Sequence, residues 1–146
     1  MLQHRQIRPA NQEDVPALAV LMGELGYPTT EQEMRQRFSS IANDLAYRTF
    51  IAASGSEVLG MAGAMKGFAF EQNGCYVRLT ALVTRQTDRG KGIGKMLVHA
   101  VEEWAIASNA SAIFLNCGNR DERVAAHQFY LKLGFAAKST GYVKRL

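Results

Sequence analysis

Leu82-Val83-Thr84 and, a few residues later, Arg89-Gly90-Lys91-Gly92-Ile93-Gly94-Lys95 decide how this chain reads. The run Cys75 to Thr84 reads as a strand. After the glycines, Ile93, Leu97, Ala100, Val101 and Trp104 fall on one face of a helix. A turn so rich in glycine bends sharply and lets backbone N–H groups approach a ligand with no Cβ in the way. The first N–H groups of the following helix have no partner inside it, and they sit at the positive end of the helix dipole. Phosphate oxygens suit such a place, and Arg89, Lys91 and Lys95 surround it with positive charge. A plain glycine-rich helix entry with a solvated basic rim is the competing reading.

Two common phosphate motifs do not fit. A P-loop requires G-x-x-x-x-G-K-[ST], and here Met96 follows Lys95. A dinucleotide fingerprint requires G-x-G-x-x-G with an acidic residue about 20 positions on. Gly90, Gly92 and Gly94 have another spacing, and position 114 is Phe114.

Working outward, Gln6 to Arg8 reads as a short strand. Asn11 caps a helix through Leu18, Leu21, Met22 and Leu25 that stops at Gly26. Thr30 and Glu33 form a capping box for a second helix through Met34 and Phe38. Ser39 to Leu45 reads as irregular. Tyr47 to Ala53 and Val58 to Phe70 read as strands, and Asn73-Gly74 is a strong hairpin signal. Beyond the long helix come a strand, Ser111 to Asn116, a helix, Asp121 to Leu133, closed by Gly134, and a last strand region, Phe135 to Leu146. This order predicts an α/β domain with a central mixed, mostly antiparallel sheet and helices on both faces. The 146 residues suit a single domain, 1–146.

Composition narrows the function. Hydrophobic residues make up 47% and charged residues 21%, a globular balance with no apolar run near the roughly 18 residues of a membrane span. No secretory h-region is visible in Met1 to Arg8. Two cysteines, Cys75 and Cys117, make no disulfide framework, so the expected compartment is the cytoplasm. No C-x-x-C occurs and His4, His99 and His127 are scattered, so no metal site is expected. The net charge of +4 gathers around the glycine turn rather than along a stripe, which favours a small polyanion over nucleic acid.

Arg89-x-x-Gly92-x-Gly94 resembles the R/Q-x-x-G-x-G/A signature with which the GNAT N-acetyltransferases grip the pyrophosphate of coenzyme A. Leu82-Val83-Thr84 resembles the family's bulged strand, whose backbone bonds the pantetheine arm. Arg123-x-x-Ala126-His127-x-Phe129-Tyr130-x-x-x-Gly134-Phe135 resembles its second cofactor motif. The order of elements matches from about Gln6 to Leu146, and the tail is similar to small bacterial enzymes that acetylate aminoalkylphosphonates and related amines. The resemblance implies the GNAT fold, acetyl-CoA as cosubstrate, and a small-molecule amine as acceptor. It implies neither nucleic acid nor membrane as partner. Homodimers are common among such proteins.

The resemblance also implies a site. Leu82, Val83, Thr84, Arg89, Gly90, Lys91, Gly92, Ile93, Gly94, Lys95, Asn116, Arg123 and His127 are the expected cofactor-binding residues, and Tyr130 the expected catalytic one. Transfer of acetyl from a thioester to an amine needs a neutral amine, donors for the carbonyl oxygen and a proton for the departing sulfur. A phenol with a pKa near 10 is protonated at pH 7 and can supply that proton. Tyr130 stands one helical turn after the small Ala126, although an aromatic at helical spacing also suits a core. The oxyanion donor is a backbone N–H at Leu82 or Val83. Cys117 has no adjacent His or Asp to make it a nucleophile. The chain departs from the family pattern at Gln86, often proline, at Arg123, often asparagine, and at Ala81, where several members carry a glutamate base. The base is therefore unassigned, and Glu24, Glu71 and Tyr76 are candidates for base or acceptor contacts. A peptide or protein N-acetyltransferase and a non-catalytic acyl-CoA-binding module are the alternative readings.

Overall fold

A computed structural model describes residues 4–118 and 121–146. They form two compact units, Met1–Phe114 and Leu115–Leu146. The first contains a five-stranded sheet: β1 (Gln6–Pro9), β2 (Tyr47–Ser54), β3 (Glu57–Phe68), β4 (Cys75–Thr84) and β5 (Ala110–Phe114), in that spatial order. Neighbours run antiparallel except β4 and β5, which are parallel. Three helices belong to this unit: α1 (Val15–Leu25), α2 (Glu31–Ala42) and α3 (Ile93–Ala107). Parallel strands cannot be joined by a tight hairpin, so α3 supplies the crossover from β4 to β5.

The helices cover opposite faces of the sheet. Val15, Leu18 and Leu21 of α1 and Met34 and Phe38 of α2 share one buried cluster with Ile51, Met61 and Val83. Gly60 precedes Met61 on β3 and faces the other way; a Cβ built there would lie 3.2–3.3 Å from Leu97 and Ile93 of α3. The long sequence periodicity of α3 therefore has its reason in Ile93, Leu97, Val98 and Val101, all buried to 1% exposure or less.

The predicted caps account for the helix ends. Thr30 accepts from Glu33 N–H at 3.1 Å while the Glu33 carboxylate accepts from Thr30 N–H at 3.0 Å. Gly26 ends α1 with φ +107. Asn11 caps a single 3-10 turn, Gln12–Asp14, that leads into α1. There the buried Asp14 takes two hydrogen bonds from the Arg8 guanidinium, both 2.9 Å, and one from Asn11 N–H at 2.8 Å. The Arg8 hydrogen bonds lower the Asp14 pKa, against desolvation, which raises it.

Asp14→Asn should therefore destabilise the fold by about 1–3 kcal/mol, the usual scale for charge-assisted hydrogen bonds. Because the folded pKa lies below the unfolded value of roughly 3.9, the contribution is complete above that value and is lost as pH falls through the folded pKa. Urea unfolding across the acid range should show a shallower loss of stability in the variant. Parallel curves for the two proteins would remove the ion pair from the account.

Several sequence expectations change. The stretch Ser39 to Leu45 is not irregular throughout, because α2 continues to Ala42 before its cap at Asn43. The predicted strand to Phe70 stops at Phe68, and the connection from 69 to 74 is longer than a two-residue hairpin, with only Gly74 at positive φ. β5 ends at Phe114 rather than Asn116, where its pairing with β4 stops.

The second unit holds a 3-10 turn, Asp121–Arg123, and α4 (Val124–Lys132), with Gly134 at φ +94 beyond the helix end. The expected strand over Phe135 to Leu146 is absent among the described residues. That segment pairs with no strand, and residues 136–146 are all exposed. Its run Ala136-Ala137-Lys138-Ser139-Thr140-Gly141 offers little apolar alternation to bury against a sheet.

Candidate active site

The glycine turn begins where β4 ends. Gly90 and Gly92 take φ +79 and +81, left-handed conformations that other residues adopt only with strain. Gly92 is the N-cap of α3, with no side chain capping the helix. The first bond within the helix runs from Met96 N–H to Gly92 O at 3.1 Å. The N–H groups of Ile93, Gly94 and Lys95 precede it and lack intrahelical acceptors, so a 15-residue helix presents its positive end here.

A buried carboxylate holds the turn in shape. Asp88, only 8% exposed, accepts from Arg85 Nε at 2.5 Å, from Thr87 Oγ1 at 3.2 Å and from Lys91 Nζ at 3.3 Å. The Arg85 guanidinium holds the Asp88 carboxyl below its usual range. Arg5 Nη1 donates to Lys91 O at 2.7 Å, and Gln86 N–H donates to Glu24 Oε1 at 2.9 Å. Glu24, a candidate base from sequence, is thus spent in part on the loop after β4; its other carboxylate oxygen is buried with no hydrogen-bond partner among the described residues. Asp88 escaped the sequence reading, although the spacing Arg85-x-x-Asp88-x-x-Lys91 was its signal. Arg89 and Lys95 form no ion pair with a carboxylate among the described residues.

Beside the turn, β4 has an open edge. β5 accompanies it only to the pair Arg78↔Phe114, whereas β4 continues to Thr84. An extra residue, Thr80, bulges between the pairs Ala64↔Leu79 and Gly63↔Ala81. Alternation along the ladder decides which groups face the gap. Arg85 N–H bonds Leu59 O at 2.7 Å on the β3 side. Val83 and Ala81 therefore turn their backbone groups to β3 as well, and Leu82 and Thr84 turn theirs to the unpaired edge. Arg89 Nε reaches Thr84 O from that side at 3.4 Å. Of the two residues that sequence offered as N–H donors, only Leu82 has its N–H outside the β3–β4 ladder.

The second unit gathers the remaining candidates. His127 Nε2 lies 2.7 Å from Gly118 O and donates to it, and Arg123 Nη2 donates to Cys117 Sγ at 3.8 Å. Asn116 lies beyond β5 with its side-chain amide 3.7 Å from where a Cβ of Gly141 would stand. Tyr130 packs edge-on to Phe129 and Phe135, at ring separations of 5.3 and 5.7 Å. Burial raises its phenol pKa above 10.0; Cys117 adds to the rise and Arg123 opposes it. The group is therefore a protonated donor throughout the neutral range.

A strand with an unpaired edge, leading through a positive-φ glycine turn into a bare helix N-terminus, offers in-line N–H donors of the kind that suit phosphate oxygens. The model of the acetyltransferase (GNAT) family matches residues 15–135, and the chain belongs to that family. It is 28% identical over 128 residues to the uncharacterized N-acetyltransferase YhdJ of Bacillus subtilis, a match spanning 87% of this chain and 85% of that one. A GNAT family acetyltransferase from Staphylococcus aureus has the same fold, with a TM-score of 0.83 at 30% identity over 99% of this chain and 100% of the other. The aminoglycoside N-acetyltransferase AAC(6')-Iy, solved with CoA, superposes with a TM-score of 0.85 over 100% of this chain and 97% of its own. At 18% identity that likeness is one of fold. The protein is accordingly an acyltransferase of the N-acetyltransferase kind. No helix among the described residues is long and apolar enough to cross a membrane.

Proposed function

We propose that this enzyme transfers the acetyl group of acetyl-CoA directly to a primary amine of a small molecule. The observation that carries the reading is the continuity of β4's open edge with the uncapped N-terminus of α3. The pyrophosphate would be held by N–H groups at Gly92 to Lys95, with Arg89, Lys91 and Lys95 around it. The positive φ of Gly90 and Gly92 supports the fit, since a side chain on either would crowd the approach. Thr84 and Leu82 would bond the pantetheine arm along the open edge.

The reaction needs the acceptor nitrogen as a free amine. Its lone pair attacks the thioester carbon, a C–N bond forms, and charge moves to the carbonyl oxygen. Leu82 N–H, outside the ladder, would stabilise that oxygen. The C–S bond then breaks, the sulfur takes a proton, and the amide nitrogen loses one. Tyr130 is the proposed proton donor to sulfur, with a phenol held protonated by burial. Asn116, Arg123 and His127 are proposed as further cofactor contacts. Two unpaired thiols, Cys75 and Cys117, support a cytoplasmic setting.

Thermal unfolding tests the cofactor. A ligand bound only by the native state stabilises it, by about 2.7 kcal/mol at a hundred times its Kd. Coenzyme A and acetyl-CoA should raise the unfolding temperature by several degrees, while NADH and ATP leave it in place. A response to NADH or ATP alone would overturn the assignment. Labelled acetyl-CoA offered with small amines and with peptides then identifies the acceptor class. Binding without transfer to any of them would favour the non-catalytic reading.

A further inference from the structure

We propose that Glu24 is a positioning residue for the cofactor turn and not the base. From α1 it holds the loop after β4, and so gives the turn its shape before coenzyme A arrives. This rests on the acetyltransferase reading above and deepens it by naming what fixes the proposed phosphate site.

The turn needs a hold from outside. Gly90 and Gly92 stand at φ +79 and +81, and glycines lose more conformational freedom on ordering than other residues. A ligand that must itself order its loop binds more weakly by that cost. Local structure supplies little order here: Gln86–Asp88 is a single 3-10 turn whose N-cap, Arg85, makes no side-chain cap bond. Glu24 supplies the cap from elsewhere, since its Oε1 accepts from Gln86 N–H at 2.9 Å. It stands in the last turn of α1, and Val15, Leu18 and Leu21 anchor that helix in the core cluster. Arg5 holds the far end through Lys91 O, and Asp88 joins Arg85 to Lys91 between them. The free N–H groups of Ile93, Gly94 and Lys95 follow directly.

The same contacts fit a base poorly. A base must come within hydrogen-bond reach of the proton it takes. Glu24 Oε1 is engaged by Gln86, and Oε2 is buried with no donor among the described residues. Gln86 also lies four residues beyond Leu82, about 13 Å of extended chain, which puts Glu24 at the phosphate end of the proposed cofactor path rather than at the thioester.

Two substitutions separate the roles. Glu24→Asp keeps the charge but withdraws the carboxylate by one methylene. Glu24→Gln discards the charge but keeps an oxygen for Gln86 N–H. Calorimetry with coenzyme A, steady-state and single-turnover kinetics, and amide exchange of the free protein read the outcome. Glu24→Asp should speed exchange across residues 86–92. It should also weaken coenzyme A and raise the KM of acetyl-CoA, each by about tenfold, the scale of a hydrogen bond to a charged group. The single-turnover rate at saturating acetyl-CoA should stay at the wild-type level. Glu24→Gln should match the wild type in every measurement. Gln86→Pro checks the partner. Proline has no N–H, but its fixed φ of about −65° suits the first position of a helical turn, and Arg85 already has the extended ψ of 135 that precedes a proline. In that background Glu24→Asp should cost no further affinity.

A fall in the single-turnover rate of Glu24→Gln with affinity intact would make Glu24 a base and overturn the proposal. So would wild-type exchange and affinity in folded Glu24→Asp, or a loss that persists in full beside Gln86→Pro. Glu24→Ala gives the same reading should the aspartate variant not fold. Failure of the acetyltransferase reading would appear separately, as no binding of coenzyme A to the wild type. Amide exchange in the free protein then decides on the tether alone, faster exchange in Glu24→Asp supporting it and unchanged exchange overturning it.

Discussion

Tyr130→Phe should lower turnover by about 10²–10⁴-fold, the usual contribution of general acid catalysis, while acetyl-CoA affinity changes little. The substitution keeps the ring and its edge-on contacts with Phe129 and Phe135 and removes only the hydroxyl. Those contacts belong to packing in the second unit, so the variant should keep its helix, and circular dichroism provides the control. The loss should persist at saturating amine, because a proton given to the departing sulfur acts in the transition state and not in ground-state binding. Burial holds the phenol pKa above 10.0, so the donor stays protonated as pH rises through neutrality. A fall in activity between pH 7 and 9 would then belong to another group. Single-turnover rates separate chemistry from product release. A phenylalanine enzyme with the full single-turnover rate would return Tyr130 to a packing role.

Gly92→Asp should weaken acetyl-CoA binding by at least about tenfold, or 1.4 kcal/mol. Two effects act together. The residue sits at φ +81, where an L side chain is strained, although nothing lies within 4 Å of the Cβ it would add. The aspartate also brings negative charge to the helix end where phosphate oxygens are proposed to lie. An aspartate at an N-cap ordinarily favours a helix, so the charge itself should not unfold α3. Gly92→Ala carries the backbone strain without the charge and separates the two contributions. Calorimetry with coenzyme A should rank wild type above alanine above aspartate. Unchanged affinity in a folded aspartate variant would remove the turn from the phosphate site.

The site was unevenly legible before any coordinates. The glycine turn stood out because its requirements are local: three glycines, three cations, a strand before and a helix after. Thr30-x-x-Glu33 announced α2 for the same reason, since both partners of a capping box lie within one turn. Asp88 escaped the sequence reading because nothing local in the sequence says that it is buried. Only its burial to 8% exposure shows that it ties Arg85 and Lys91 across the turn. Glu24 was named as a possible base with no means of choosing it. Its bond to Gln86 N–H joins residues 62 positions apart, a separation that no local pattern encodes.

The sequence by itself determined the family motif, the order of strands and helices through β5, and the faces that α1, α2 and α3 bury. Periodicity, caps and turn residues express preferences of a few neighbouring positions, and in these segments they agree with one another. Tertiary structure alone decided where β5 parts from β4, that Thr80 is the bulged residue, and hence that Leu82 rather than Val83 presents a free N–H. It also decided that Phe135 to Leu146 forms no strand among the described residues and that Arg78 stands beside Tyr76. Those outcomes depend on register and pairing between distant segments. A shift of one residue turns every side chain and every N–H to the opposite side, and a strand's own residues do not reveal which register its partner will impose.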